Sequence, residues 1–234
     1  MLSIKEAISS TIGRKYLMAA SGLLLTGFLA THLAANMLLY LPDGTQFNQY
    51  AKKLHDLGPL LLVAEMGLLV LFGLHIAVAL KLHFAGGKQR GRQYQVGQTT
   101  KGGASKYNLS SNNMIWTGLI LGAFLIGHVA WFRFEIGVTG TYMTMVDGVE
   151  SRDLYRLARD TFANPVFVVG YTAVMVMLGV HLRHGFWSAF QSLGLMAPKY
   201  NKPIQLAGYA IAFALAVGFL GIPPFIYVST HFMK

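Results

Sequence analysis

Long apolar stretches recur five times along the chain, and short polar segments separate them. Each stretch has about 20 residues or more, the length that an α-helix needs to cross a hydrocarbon core of about 30 Å. The pattern predicts an all-α membrane protein that forms a single domain, residues 1–234. The five predicted spans are Tyr16–Leu41, Pro59–Leu82, Met114–Phe134, Val166–Phe190 and Ile204–Val228.

The ends of these stretches carry local signals. Proline stands at several predicted edges, where its missing N–H costs least: Pro42, Pro59, Pro165 and Pro203. Pro223 and Pro224 are expected to kink or end the fifth helix. The first stretch is much longer than the apolar region of a signal peptide, about 7–15 residues, so we interpret it as a retained helix.

Composition agrees with lipid as the solvent of most of the chain. Only 12% of the residues are charged, whereas a soluble domain has about 25%. The formal net charge of +10 does not indicate nucleic-acid binding, because the basic residues lie in short segments between apolar stretches. The absence of cysteine excludes disulfides, covalently attached c-type haem and cysteine-ligated iron–sulfur clusters in this chain.

The distribution of Lys and Arg predicts the orientation. The side that carries the N-terminus has eleven of them and the opposite side has seven, while Arg183 falls inside a helix. The positive-inside rule then places the N-terminus in the cytoplasm. The stretch 85–111, rich in Gly, Gln, Ser and Lys, is expected to be a flexible loop or a docking segment for a soluble partner. The sequence indicates no internal repeat and no separate soluble domain.

Four histidines lie deep in four different predicted helices: His32, His75, His128 and His181. Ionisable residues in a bilayer are costly and usually functional. Each lies about 15 residues into its helix, roughly 21–24 Å from the face where that helix enters. Because successive helices run in opposite directions, the four histidines fall at two levels, roughly 15 Å apart in a core of about 30 Å.

The two levels favour a pair of haems. His32 and His128, here called the outer pair, share the level far from the N-terminus, and His75 and His181, the inner pair, share the other. Alternate helices of an up-down four-helix bundle face each other across its core, so each level suits one iron between two imidazoles. The simpler alternative is that each histidine forms a hydrogen bond between helices.

Other residues leave alternatives open. His184 lies three residues after His181, and spacing cannot choose between them. His55, His83 and His231 are expected at the surface. Glycines provide either room for a macrocycle or close helix contacts: Gly22, Gly27, Gly73, Gly118, Gly122, Gly127, Gly170, Gly179 and Gly185.

Several segments resemble the cytochrome b558 family, the single-subunit, five-helix, di-haem membrane anchors of succinate dehydrogenase. Fumarate reductase anchors that use menaquinone are similar more distantly. The matching segments are Ser10-Thr-Ile-Gly-Arg-Lys-Tyr-Leu-Met18, His32-Leu-Ala-Ala-Asn36, Phe47-Asn-Gln-Tyr50, Ala64-Glu-Met-Gly67 and His181-Leu-Arg-His-Gly-Phe-Trp-Ser-Ala-Phe-Gln191.

The resemblance implies a function for the chain. It implies two haem b groups with His32 and His128 as axial ligands of one and His75 and His181 as ligands of the other. The fourth ligand follows the family spacing to Gly185, which favours His181 over His184. A flavoprotein and an iron–sulfur subunit are the implied partners on the cytoplasmic face of a bacterial inner membrane. The implied substrate is a quinone, with menaquinone expected.

Two further groups of residues are candidates around the haems. Propionates need basic or hydrogen-bonding partners, although the basic residues could equally bind lipid phosphates; the inner candidates are Arg14, Lys15, Ser21 and Arg183. Glu65 lies inside a span near the outer level, and an unpaired carboxylate there would suit quinone proton exchange. Its alternative role is a hydrogen bond to a neighbouring helix or a ligand histidine. Further quinone candidates are Asn36, Tyr40 and Trp131.

Two other classes of protein compete with this interpretation. The anchor of another respiratory dehydrogenase also binds haem between histidines, but the respiratory cytochrome b pattern places two ligands on one helix. A transporter or proton channel lined with histidines explains why they lie in the membrane but not why they form two levels. A fumarate reductase anchor would share the haem sites and run electrons in the reverse direction.

Overall fold

Five long helices dominate the computed structural model, which describes residues 3–90, 113–195 and 197–233. Each is long and apolar enough to cross a membrane, so the predicted all-α membrane fold is confirmed. The spanning helices, numbered one to five below, are Thr11–Asn36 with a 3₁₀ extension Met37–Tyr40, Pro59–Arg90, Met114–Phe132, Pro165–Ser192 and Pro198–Phe232.

Capping residues explain where two of these helices begin. The hydroxyl of Ser10 accepts a hydrogen bond from the backbone N–H of Gly13 at 3.0 Å, so helix one begins at Thr11, before the predicted Tyr16. Asn164 caps helix four in the same way, and Pro165 follows at a position where its missing N–H costs little. Helix one is preceded by a short helix, Ile4–Ser9.

Of the two effects expected of Pro223 and Pro224, a kink or an end of the fifth helix, the end does not occur, because the helix continues to Phe232. Helix five begins at Pro198 and contains Pro203, Pro223 and Pro224 in its interior. The apolar contacts on either side of the second and third prolines stabilise the helix there, because Ile222 and Ile226 are buried in the core. The predicted 85–111 loop also needs correction at its start, since helix two continues to Arg90. Residues 91–112 lie outside the described part of the chain.

The core lies mainly between helices four and five, with helix one beside them. One buried cluster contains Met175, Leu178, Leu182, Ala212 and Leu215. Small residues let the backbones approach: a Cβ on Gly179 would lie 2.9 Å from the Cβ of Ala216. Helix five therefore supports the bundle from one side, and the four histidine-bearing helices form the remainder of the membrane part.

A cap that the sequence did not predict covers the side away from the N-terminus. It consists of the helix Thr45–His55, the hairpin strands Met143–Val146 and Val149–Arg152, and the helix Leu154–Phe162. The hairpin turns at Asp147 and Gly148, both with positive φ, as a two-residue turn requires. We refer to these elements as the outer cap.

Hydrogen bonds from one buried side chain hold the outer cap together. Asn48 is 6% exposed; its amide nitrogen donates to Asp153 at 2.8 Å and its oxygen accepts from the backbone N–H of Tyr155 at 3.0 Å. The first helix of the cap is therefore fixed to the start of the second. Arg152 extends this connection to the membrane part, because it donates to the backbone oxygen of Phe132 at 3.0 Å and pairs with Glu135.

A glycine is required where the chain enters the outer cap. Gly44 has a φ of 71°, and a Cβ built on it would lie 2.3 Å from ring atoms of Tyr155. The hydroxyl of Tyr155 donates to the backbone oxygens of Leu41 and Pro42, so the ring cannot easily move away. Any side chain at position 44 would meet both backbone strain and a steric clash.

We expect Gly44→Ala to destabilise the outer cap more than Gly58→Ala does. Both glycines have positive φ, which costs an alanine about 1–2 kcal/mol, but a Cβ on Gly58 meets no atom within 4 Å. The thermal unfolding midpoint of each variant in detergent gives the comparison. Equal shifts for the two variants would contradict the predicted clash with Tyr155.

Candidate functional site

The outer pair is brought together in the core of the bundle. The ring centroids of His32 and His128 lie 6.0 Å apart, and the ring planes are nearly perpendicular at 88°. Each ring also stacks on a phenylalanine four residues earlier: Phe28 on His32 at 5.5 Å and Phe124 on His128 at 5.6 Å. The phenol oxygen of Tyr171, on helix four, lies 3.2 Å from Nδ1 of His128.

The inner pair is held by hydroxyl groups on the preceding helices. Ser21 Oγ, on helix one, lies 3.0 Å from Nδ1 of His75 on helix two. Thr117 Oγ1, on helix three, lies 3.1 Å from Nδ1 of His181 on helix four. The two histidines are also near enough for their charges to interact. In both cases Nδ1 is the atom that faces the hydroxyl.

Glycines next to these hydroxyls make room for the imidazole rings. A Cβ built on Gly22 would lie 3.4 Å from Cε1 of His75, and one on Gly118 would lie at the same distance from Cε1 of His181. A Cβ at this distance is in ordinary contact with the ring, so only a side chain with atoms beyond Cβ, such as valine, would push the ring out of place. The glycines therefore fix how closely each histidine approaches the neighbouring helix.

These matching contacts reveal an internal repeat, contrary to the expectation from the sequence. Residues 21–32 read SGLLLTGFLATH and residues 117–128 read TGLILGAFLIGH, with six of the twelve positions identical. Each segment has a hydroxyl residue, a glycine, a phenylalanine and a histidine at matching positions. These residues make the same contacts in both segments. Helices one and three are thus equivalent parts of the site.

The geometry fits a metal bound between two imidazoles. A bond from imidazole nitrogen to metal is about 2 Å, so two rings on opposite sides of one metal have centroids about 6 Å apart. The outer pair lies at that separation. Hydroxyl partners on Nδ1 are the contacts that orient a metal-bound histidine. Within the described ranges no group of three or more His, Asp or Glu side chains is arranged to hold a metal ion.

The remaining histidines differ in their surroundings. His55, His83 and His231 are exposed. His184 is half-buried and close enough to His181 for their charges to interact. The hydrogen bond between Thr117 and Nδ1 orients the ring of His181.

The four propionate candidates have different positions. Ser21 is buried at 2% exposure and contacts His75, so its hydroxyl is already engaged within the bundle. The guanidinium of Arg183 is 5.2 Å from the ring centre of Tyr209 on helix five. Arg14 is half-buried and Lys15 is exposed at the N-terminal end of helix one. Arg14 and Lys15 thus remain on the face that carries the N-terminus.

Glu65 is paired, which corrects the expectation of an unpaired carboxylate. Nε of Arg133 donates to one of its oxygens at 2.7 Å, and a second guanidinium nitrogen donates to the other at 3.2 Å. The hydrogen bond to Glu65 raises the pKa of the Arg133 guanidinium. The sequence analysis missed Arg133 because it lies just beyond helix three, where a basic residue also suits an interface with lipid headgroups.

The other quinone candidates have partners of their own. Tyr40 packs on Phe225 of helix five, with ring centroids 4.5 Å apart. The indole N–H of Trp131 donates to Thr161 in the outer cap at 2.9 Å. The amide of Asn36 donates to the backbone oxygen of His32 at 2.8 Å, which places Asn36 next to the outer pair. These contacts direct Tyr40 and Trp131 to elements other than the one that bears Glu65.

Sequence reasoning also missed Thr117 and Tyr171. Thr117 had a detectable signal, because it precedes His128 by the same eleven residues that separate Ser21 from His32. Tyr171 had none, since a tyrosine inside an apolar stretch is usual in a membrane helix.

Comparisons of the chain with models of protein families, with curated proteins and with solved structures found no match.

We expect Gly22→Val to disturb the inner site while Gly67→Val leaves it intact. The added methyl groups at position 22 would displace the ring of His75, whereas a Cβ on Gly67 meets no atom within 4 Å. The haem content of the two purified variants, measured as the pyridine haemochrome, gives the test. Equal haem content in both variants would contradict the inference that Gly22 makes room for the ring of His75.

Proposed function

We propose that this chain is the membrane anchor of a succinate:quinone oxidoreductase, a succinate dehydrogenase, in a bacterial inner membrane. It would carry two haem b groups and pass electrons between an iron–sulfur subunit and a membrane quinone, with menaquinone expected. The observation that carries the proposal is the arrangement of four half-buried histidines as two pairs from alternate helices. The resemblance of the His181–Gln191 segment to succinate dehydrogenase anchors supports the choice of enzyme.

The residues of this chain would bind and orient the haems. His32 and His128 would hold the outer haem, and His75 and His181 the inner haem. When bound, the haems supply the one-electron chemistry that the side chains lack. Apolar side chains around the two pairs would exclude water. Haems at the two levels, roughly 15 Å apart, would carry electrons across much of a core of about 30 Å.

The face that carries the N-terminus would dock the soluble subunits. This face holds the larger share of the Lys and Arg residues, with Arg14 and Lys15 at its start. The proposed orientation places it in the cytoplasm, where the flavoprotein subunit would oxidise succinate and the iron–sulfur subunit would deliver electrons. The positions of Arg14 and Lys15 at the N-terminal end of helix one are compatible with either the inner propionates or the partner surface.

The quinone site is proposed at Glu65, close to the outer level. A carboxylate has about four lone-pair positions, and Arg133 uses one on each oxygen. The remaining positions could carry a proton and deliver it to a quinone oxygen as electrons arrive from the outer haem. Arg133 would keep the carboxylate oriented during this exchange. Asn36, next to His32, is the most favourably placed of the other quinone candidates.

We expect two protohaems per chain, because the structure offers two pairs of histidines. His75→Ala should remove the inner haem and His128→Ala the outer one, so each variant should retain about one. The pyridine haemochrome of the purified complex measures this number. As a control, His55→Ala alters an exposed histidine in the outer cap and should keep both haems. A wild-type complex with clearly fewer than two haems would refute the proposal.

We expect Glu65→Gln to keep both haems and yet to block electron exchange with quinone, because the amide cannot relay a proton to the quinone as it is reduced. Succinate oxidation with an artificial dye should survive, since that path bypasses the membrane. Glu135→Gln is a matched control, because Glu135 also pairs with an arginine, Arg152, and is exposed to a similar degree. Normal quinone turnover in a haem-replete Glu65→Gln enzyme would rule out Glu65 as the proton carrier.

A further inference from the structure

The two hydroxyl groups that contact the inner pair have equivalent surroundings. Ser21 is 2% exposed and Thr117 is 8% exposed, so water does not compete for either hydroxyl. Each lies at about the same distance from Nδ1 of its histidine, 3.0 Å for Ser21 and 3.1 Å for Thr117. Their positions correspond in the repeat, eleven residues before His32 and His128. Because this contact recurs at equivalent positions of helices one and three, a role in the histidine site explains it better than local packing does.

The proton of each hydroxyl already has an acceptor. Ser21 donates to the backbone oxygen of Met18 at 3.1 Å. Thr117 has two backbone oxygens to which its single proton can go, those of Asn113 and Met114, both at 3.1 Å. A hydroxyl has one proton to donate and two lone pairs that accept. Toward the imidazole each hydroxyl therefore acts as the acceptor.

This direction of the hydrogen bond selects the tautomer of both inner histidines. If the hydroxyl oxygen accepts, Nδ1 must carry the hydrogen, and Nε2 is left with its lone pair. That lone pair is what binds a metal. An acceptor on the N–H of a metal-bound histidine also increases the electron donation of the ring to the metal.

The outer pair is held differently. The partner of Nδ1 of His128 is the phenol of Tyr171 at 3.2 Å, and a phenol hydroxyl can donate or accept there. The stacked rings of Phe28 and Phe124 add no hydrogen bond. The hydroxyl acceptors on the preceding helices thus distinguish the inner pair from the outer pair.

We propose that Ser21 and Thr117 are positioning residues of the inner haem: they hold the hydrogen of His75 and His181 on Nδ1 and thereby lower the midpoint potential of that haem. This inference rests on the proposed function, because it requires iron bound between the inner pair. Greater electron donation by the ligands stabilises ferric iron relative to ferrous iron. Removing either acceptor should therefore make the inner haem easier to reduce.

The test is a potentiometric titration of the purified complex, followed through the haem absorption bands. The His75→Ala and His128→Ala variants assign the bands and midpoints to the two haems. In Ser21→Ala and in Thr117→Val we expect the inner midpoint to rise, by a shift that corresponds to up to about a tenfold change in the reduction equilibrium, about 59 mV for a one-electron couple. The outer midpoint should stay unchanged.

Two further variants separate the hydrogen bond from packing. Thr117→Ser keeps the hydroxyl and should retain the wild-type midpoint. Thr26→Val removes a hydroxyl of helix one that donates to the backbone oxygen of Gly22 at 2.8 Å, and it should not move the inner midpoint. Loss of the inner haem in Thr117→Val with normal haem and midpoint in Thr117→Ser would still support the inference.

The outcomes also separate this inference from the proposed function. Unchanged midpoints in haem-replete Ser21→Ala and Thr117→Val enzymes would overturn the inference and leave the function standing. The same holds if Thr117→Val and Thr117→Ser both lose the inner haem, since that would indicate a packing role. A wild-type complex without haem would overturn both.

Discussion

A polar side chain inside hydrocarbon must find its partner within the protein, and the arrangement of the bundle follows from this constraint. The deep histidines find such partners in aromatic rings and in hydroxyl groups on neighbouring helices. Each such contact fixes the rotation of one helix relative to the next, because an imidazole reaches a hydroxyl only at one level and on one face. Apolar packing alone would leave these rotations poorly determined, since lipid tails are as apolar as the side chains.

Helix five and the outer cap complete this arrangement without contributing a deep histidine. Helix five packs closely on helix four through Gly179 and Ala216. The outer cap is joined to the end of helix three by Arg152, which contacts Phe132 and Glu135. Both elements restrict movement of the histidine-bearing helices. Orientation of the candidate site therefore depends on parts of the chain that lie outside it.

The sequence predicted the spanning helices well because a membrane helix needs a long apolar stretch, and such stretches are visible without any tertiary information. Depth follows from the helical rise, and the expected shared level of His32 and His128 agrees with their ring separation of 6.0 Å. The sequence missed the pairing of Glu65 with Arg133, because that contact joins two helices whose relative rotation no local pattern encodes. The hairpin was overlooked although Asp147-Gly148 is a typical hairpin turn. The repeat between residues 21–32 and 117–128 is present in the sequence, but its role became clear only from the contacts that the two segments share.

The repeat divides the four histidine-bearing helices into two halves, helices one and two and helices three and four. Within each half, the hydroxyl of the first helix orients the inner histidine of the second. Each level, however, takes one histidine from each half. Neither half can build a two-histidine site alone, so a metal bound at either level would act as a cross-link between them. Binding of a metal at either level would then help to close the bundle, because its binding energy becomes folding energy.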